Sequence, residues 1–304
     1  MKVIGIDVGG TGVKGSVVNE DGDILFEEKV PTDISKGRDG ILESIHIVID
    51  SLMKRDNAIL GIGIGTAGRV NVHSGEIVFA TANLPSWQGT NVKAEIESRY
   101  SLPCVVENDA NAALIGELWK SQRKPQSAVM ITLGTGVGGA NAINGEVLNG
   151  YHHQSGEWGH VVLVPNGKLC NCGKKGCIEQ YLSGTALVQA VLTETELSFR
   201  HGSEIFEEFS KGNQQVKQVI DRYLDYLAIT MYNISVSIDP EMIFIGGGVI
   251  DSKRHWWTSF RGKLKEYCVN ASVHPASLGN KAGMLGAAKL IFQVIEKRGE
   301  PIEK

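Results

Sequence analysis

Residues 152–180, HHQSGEWGHVVLVPNGKLCNCGKKGCIEQ, concentrate groups able to hold a metal or a polar ligand. Three of the five cysteines, Cys170, Cys172 and Cys177, follow His160 with the spacing H-x9-C-x-C-x4-C. One imidazole and three thiolates form a tetrahedral zinc set. A lone histidine is commonly a satisfied core residue, and a lone cysteine a small buried apolar side chain. Neither reading accounts for three cysteines on a polar loop rich in glycine and lysine. The set is closed, with no position left for a hydrolytic water, so the expected metal is structural. Glu157 and Glu179 stand near the ends of the stretch as polar-ligand candidates.

Three other segments place glycines directly after an apolar run: DVGGTGVKG, LGTGVGGA and IGGGV. Without a Cβ, backbone N–H groups can approach phosphate oxygens, and Thr11 and Thr135 add hydroxyls. One such turn is weak evidence, because tight turns use glycine anyway. Three in one chain point to a split nucleotide site. The first holds Asp7, Gly9, Gly10, Thr11, Gly12 and Lys14. It is not a Walker A loop, since Lys14 lies between Val13 and Gly15. The second holds Gly134, Thr135, Gly136 and Gly138, and residues 134–139 match Gly-x-Gly-x-x-Gly. A dinucleotide fingerprint must open a helix, whereas ANAINGEVL continues as a strand with an Asn-Gly turn. The third supplies Gly247 and Gly248. What survives is a pair of β-hairpins clamping phosphates from two sides.

ENDAN, residues 107–111, follows an apolar strand and precedes a helical pattern. Asn108 or Asp109 can cap that helix. Alternatively, a carboxylate at a cleft can take the proton of a hydroxyl being phosphorylated. The glycine loops favour the second reading.

In chain order, GIDVGGTGVKGSVV, VENDANAALIGE, LGTGVGGA, GEWGH, CNCGKKGCIEQYLSG and IFIGGGV resemble the ROK family (repressors, uncharacterised frames and sugar kinases). GExGH and CxCGxxGCxE are the most specific segments, and Ala140 departs from the glycine that many members carry. The resemblance implies two ribonuclease-H-like (actin-like ATPase) α/β domains with ATP in the cleft between them. These would be residues 1–116, completed by a C-terminal helix at 284–304, and residues 117–283, carrying the zinc loop at 152–180. It also implies an ATP:hexose 6-phosphotransferase needing Mg²⁺, with glucose the first candidate and N-acetylmannosamine and fructose the alternatives. Asp109 is then the base and Asn108 a hydroxyl ligand, with Gly65, Asn83, Asn108, Asp109, Glu157, His160 and Glu179 contacting the hexose. Phosphoryl transfer is mostly positioning and charge stabilisation, so Asp7 is expected to place Mg²⁺ or its waters and Lys14 to lie near the phosphates. Zinc would fasten the loop, with one His160 nitrogen on the metal and the other on a sugar hydroxyl. Trp87 is either a stacking wall or a core residue. A homodimer is implied.

Positioning these residues requires strands that end in glycine turns. KVIGIDVGG, AILGIGIGTAG, PCVVENDANAALIGELW, SAVMITLGTG and PEMIFIGGG read as such strands, the third followed by a polar turn and a helix. Hairpins are expected at Asp21-Gly22 and Asn144-Gly145, so the strand–glycine–hairpin pattern restarts near Ser127. Helices are expected from GRDGILESIHIVIDSLMKRD, NVKAEIESRY, TALVQAVLTE, VKQVIDRYLDYLAITMYNISVSI and AGMLGAAKLIFQVIEK. The length of 304 residues fits two domains better than one. A net charge of −4 gives no reason to expect nucleic acid or a membrane. MKVIGIDVGGTG is not a signal peptide, because Asp7 interrupts its apolar run. A cytoplasmic protein with reduced thiols is expected. A sugar-responsive transcription regulator is the alternative from another class. Such members carry a DNA-binding domain ahead of the kinase-like part, and the first strand here starts at Val3.

Overall fold

KVIGIDV and VKGSVVN carry apolar or small residues at almost every position, the pattern of strands covered on both faces. In the computed structural model, which describes residues 1–299, they are β1 (Lys2–Val8) and β2 (Val13–Asn19), joined at the first glycine turn. β3 (Ile24–Val30) returns after the Asp21-Gly22 turn, where Gly22 takes φ +76°. Next come α1 (Arg38–Arg55), β4 (Ile62–Thr66) and a small ribbon of β5 (Arg69–Asn71) and β6 (Glu76–Phe79). α2 (Val92–Tyr100), β7 (Cys104–Asn108) and α3 (Asp109–Lys120) follow. α1 buries Ile41, Leu42, Ile45, Val48, Ile49 and Leu52, the helical stripe read from the sequence. The sheet order is β3-β2-β1-β4-β7, antiparallel through β3-β2-β1 and parallel through β1-β4-β7.

The restart near Ser127 is a second sheet of the same design. β8 (Ser127–Leu133), β9 (Val137–Ile143) and β10 (Glu146–Val147) form its antiparallel half. Four helices follow: α4 (Glu179–Leu182), α5 (Gly184–Thr195), α6 (Gly202–Ser210) and α7 (Gln214–Ile238). β11 (Met242–Gly246), α8 (Lys253–Glu266) and β12 (Ser272–Pro275) complete the order β10-β9-β8-β11-β12. α6, α8 and β12 were not read from the sequence. α8 is polar along KRHWWTSFRGKLKE, and its signal is the i, i+4 pair Trp256 and Phe260, both buried in a cluster with Phe206.

α9 (Ala282–Gly299) returns to the first sheet; residues 300–304 of the expected terminal helix lie outside the described range. One compact unit therefore holds Met1–Lys124, Asn149–Ser155 and the chain from Asn280, and the other holds Pro125–Leu148 and Gly156–Gly279. The division expected after residue 116 falls inside α3. Among the described residues, no helix is long and apolar enough to cross a membrane.

α9 lies directly on backbone. A Cβ on Gly63 of β4 would stand 1.9 Å from Ala287 O, and one on Gly286 would stand 1.6 Å from Ala112 O of α3. Part of the glycine content thus serves helix packing rather than a ligand. Replacing Gly63 with alanine is expected to destabilise the protein by about 1–3 kcal/mol through overpacking, read as a lower urea midpoint at unchanged slope.

Candidate active site and metal centre

Asp109 is the first residue of α3 and follows β7 with no turn between them, so the expected polar turn is absent. Asn108 is the N-cap: its Oδ1 accepts the N–H groups of Ala110 at 2.9 Å and Asn111 at 3.1 Å. Its Nδ2 donates to Gly68 O at 2.9 Å. A carboxamide has two N–H donors, so one remains to meet a ligand, and the capping and ligand readings are compatible. Asp109 Oδ1 accepts Ala110 N–H at 2.9 Å. The positive end of the α3 dipole stabilises the carboxylate there.

Glu107 faces the other way. It is buried, and its Oε1 accepts Asn108 N–H at 2.8 Å and Asn111 Nδ2 at 3.0 Å. Asn111 Nδ2 also donates to Asn149 Oδ1 at 2.9 Å. Desolvation raises the Glu107 carboxyl, and these hydrogen bonds oppose the rise. Beneath Asp109, Gly65 of β4 pairs with Asp7 of β1. A Cβ on Gly65 would lie 3.0 Å from Ala112 Cβ and 3.8 Å from Asp109 Cα, so the bare residue lets α3 sit low on the sheet. Gly68, which sequence reasoning passed over, holds Asn108 and takes φ +106°; its signal was the TAGR turn after β4. Trp87 is a core residue, fully buried with Nε1 donating to Thr66 Oγ1 at 3.1 Å, and is no stacking wall.

Asp7 ends β1. Lys14 Nζ lies 3.7 Å from its Oδ2 and donates to Asn280 Oδ1 at 3.3 Å. Burial raises the Asp7 carboxyl, and the Lys14 ammonium counters it. In the first glycine turn Gly9 N–H donates to Gly12 O at 3.0 Å, and Thr32 Oγ1 donates to Gly9 O at 2.6 Å. Gly10 lies against Asn83, whose carbonyl oxygen would be 3.0 Å from a Cβ there, while Thr11 is exposed. The first unit thus carries Asp7, Gly9, Gly10, Thr11, Gly12, Lys14, Gly65, Asn83, Asn108 and Asp109.

In the second unit, Gly134, Thr135 and Gly248 border a cavity of about 740 Å³. A Cβ on Gly134 or Gly248 would meet nothing, so the space beside them belongs to the cavity rather than to packing. Val188, Arg200 and His201 also line it and were not foreseen, because residues 196–213 carried no motif. Gly247, at φ +83°, makes the turn itself. Gly138 lies within β9 opposite Thr132. Gly136 lies against Glu179, whose Oε2 accepts Val137 N–H at 3.0 Å.

The four ligand atoms offered by His160, Cys170, Cys172 and Cys177 lie within 4.8 Å of one another. Cys172 Sγ and Cys177 Sγ are 3.6 Å apart, and Cys170 Sγ is 3.7 Å from His160 Nδ1. A tetrahedron with Zn–S bonds of about 2.3 Å has edges of about 3.8 Å, so the spacing fits zinc. Burial and the neighbouring thiols push Cys177 up to about 12, and a divalent cation would reverse that by favouring thiolates. Gly173 and Gly176, at φ +84° and +82°, make the turns between these ligands. Nδ1 is the nitrogen turned to the sulfurs, leaving Nε2 4.0 Å from Glu157 Oε2. Cys104 is buried and Cys268 exposed, both outside the cluster.

The sequence profile of the ROK family matches residues 3–294. The glucokinase of Streptomyces coelicolor is 34% identical over 310 residues, covering 94% of this chain and 96% of that one. The N-acetyl-D-glucosamine kinase of Salmonella typhimurium is 29% identical over 301 residues, covering 94% and 98%. Among solved structures, the ROK family glucokinase of Streptomyces griseus in complex with glucose and AMPPNP superposes with a TM-score of 0.82 at 32% identity, covering 96% of this chain and all of that one.

The raised Glu107 carboxyl makes a pH prediction. A Glu with a folded pKa above its unfolded value adds stability below the unfolded pKa and loses it as pH rises through the folded one. Glu107→Gln keeps an acceptor for Asn108 N–H but cannot ionise. Its Tm relative to the wild type should therefore climb as pH rises from about 4.5; parallel Tm curves would show that Glu107 does not titrate abnormally.

Proposed function

Because this chain belongs to the ROK family, we propose that it is an ATP-dependent hexose kinase that moves the γ-phosphoryl of ATP to the 6-hydroxyl of a hexose, glucose first. The observation that carries the reading is Asp109, an acceptor carboxylate on the first turn of α3 beside an Asn108 with one N–H to spare. As the 6-oxygen attacks phosphorus, Asp109 takes its proton. Asn108 Nδ2, Glu157, His160 and Glu179 hold the other hydroxyls, with Asn83 and the Gly65 strand end completing the contacts.

The glycine loops offer backbone N–H groups to the phosphates, and the 740 Å³ cavity is assigned to the nucleoside. Asp7 and Lys14 stand beside the first loop, where Asp7 would hold Mg²⁺ through its waters. The Mg²⁺ would neutralise charge on the phosphates. His160, Cys170, Cys172 and Cys177 would hold zinc, which fixes the His160 tautomer and leaves Nε2–H for a hydroxyl.

The relatives named above differ in substrate, one a glucokinase and the other an N-acetyl-D-glucosamine kinase. N-acetylmannosamine and fructose therefore stay in the test panel. ADP release across hexoses, with and without Mg²⁺, decides the matter. Turnover with a hexose and Mg²⁺ supports the kinase; sugar binding with no ADP release from any hexose would favour a sugar-responsive regulator.

Asp109→Asn should lower kcat by at least about 100-fold and leave hexose affinity within a few-fold. Near-normal turnover would remove Asp109 from the role of base. Cys172→Ser should release zinc, measured by a chromophoric chelator, and weaken hexose binding together. Retained hexose affinity in the zinc-free variant would uncouple the metal from the sugar.

A further inference from the structure

Glu179 touches more than one part of the second unit. Its Oε2 accepts Val137 N–H at 3.0 Å, at the point where the loop 134–136 enters β9. A Cβ on Gly136 would stand 2.5 Å from that oxygen, so the bare residue is what admits the carboxylate. The start of the loop is braced separately: Gly184 N–H, at the head of α5, donates to Gly134 O at 2.7 Å. Val137 is covered on its carbonyl side by Gly159 of the GEWGH turn, where a Cβ would lie 2.1 Å from Val137 O. The turn is itself fastened, with Trp158 Nε1 donating to Asn141 Oδ1 at 2.8 Å and Ile178 N–H to Val161 O at 2.9 Å. Glu179 Oε1, the other oxygen, lies 4.0 Å from Cys170 Sγ. One carboxylate therefore stands between the glycine loop and the cysteine cluster.

We infer that Glu179 is a positioning residue for the donor loop as well as a ligand for the hexose. The inference rests on the kinase reading above. Oε2 holds the Val137 peptide, which sets where the N–H groups of Thr135 and Gly136 point; the Gly134 N–H is taken up within the loop by Gly136 O at 2.9 Å. Oε1 faces the Cys170 thiol, and would be free to accept from a sugar hydroxyl once that thiol is a zinc-bound thiolate. A hydroxyl donating to one oxygen changes the charge and the orientation of the other, so hexose and nucleotide affinities are linked through one side chain. By reciprocity, the nucleotide changes hexose affinity by the same factor.

The test is calorimetric. Binding of Mg²⁺-AMPPNP without sugar, and of the best hexose from the ADP-release panel without nucleotide, is measured for the wild type, Glu179→Ala, Glu179→Gln and Gly136→Ala. Losing a charge-assisted hydrogen bond to the loop should weaken AMPPNP about tenfold in Glu179→Ala. Glu179→Gln keeps a carbonyl oxygen for Val137 N–H. It should restore AMPPNP affinity to within about threefold while the hexose stays weak, a split that a glutamate serving stability alone would not produce. Gly136→Ala displaces the carboxylate from the loop side and should weaken both ligands. Wild-type AMPPNP affinity in Glu179→Ala would overturn the inference and leave the kinase reading intact. Absence of AMPPNP binding in the wild type would remove the donor site itself, and the inference with it.

Discussion

A helix laid against a sheet at bare glycines governs where the chemistry of the first unit stands. α9 meets β1 and β4 at Gly5 and Gly63, and meets α3 at Gly116 and Gly286. The approach is backbone to backbone, and no larger residue fits without moving the helix. α3 is thereby held at one height over β4, where Gly65 lies under Asp109 and pairs with Asp7. The acid near the end of one strand and the acid that opens one helix are placed largely by the approach of bare glycines. Gly283 completes the set, its bare face 3.0 Å from Asp7 Cγ when a Cβ is placed there.

Two acids of the site are held by oriented backbone rather than by lysine or arginine, in contrast to Asp7 beside Lys14. Asp109 rests on the first turn of α3, and Glu179 on the N–H of Val137. Such donors are fixed before any ligand arrives and need no reorganisation. Glu107 shows the limit of the device. Donors from Asn108, Asn111 and Asn149 reach its carboxylate, yet burial still wins and its acidity falls. The cysteine cluster presents the opposite problem, since three sulfurs within van der Waals range cannot all ionise without a cation. That requirement, more than the loop's composition, identifies the site.

The central strands β1, β4, β8 and β11 were legible because they are largely apolar and run into glycine-containing turns, and the hairpins because the turns at Gly22 and Gly145 need positive φ. The cysteine cluster was legible because four ligand types share one short stretch. α8 was missed since only Trp256 and Phe260 are fully buried, with Trp257 and Leu264 partly so, on an otherwise polar segment. Glycine was read too uniformly. Gly134 and Gly248 border open space, but Gly65, Gly136 and Gly247 answer to Ala112, Glu179 and Leu133 respectively. Sequence shows where a side chain is absent and is silent on what fills the gap. The TAGR turn marked Gly68, but not that its carbonyl accepts from Asn108, as a backbone acceptor carries no residue signature.

The return of α9 to the first unit sets an order for synthesis on the ribosome. Every residue of the second unit, through Gly279, has been polymerised before α9 begins at Ala282. The first sheet is therefore finished only after the second unit has been made: until α9 is added, the bare faces of Gly5 and Gly63 have no helix to cover them. Until then the chain carries an uncovered sheet face, the kind of transiently exposed surface that favours aggregation and that chaperones shield.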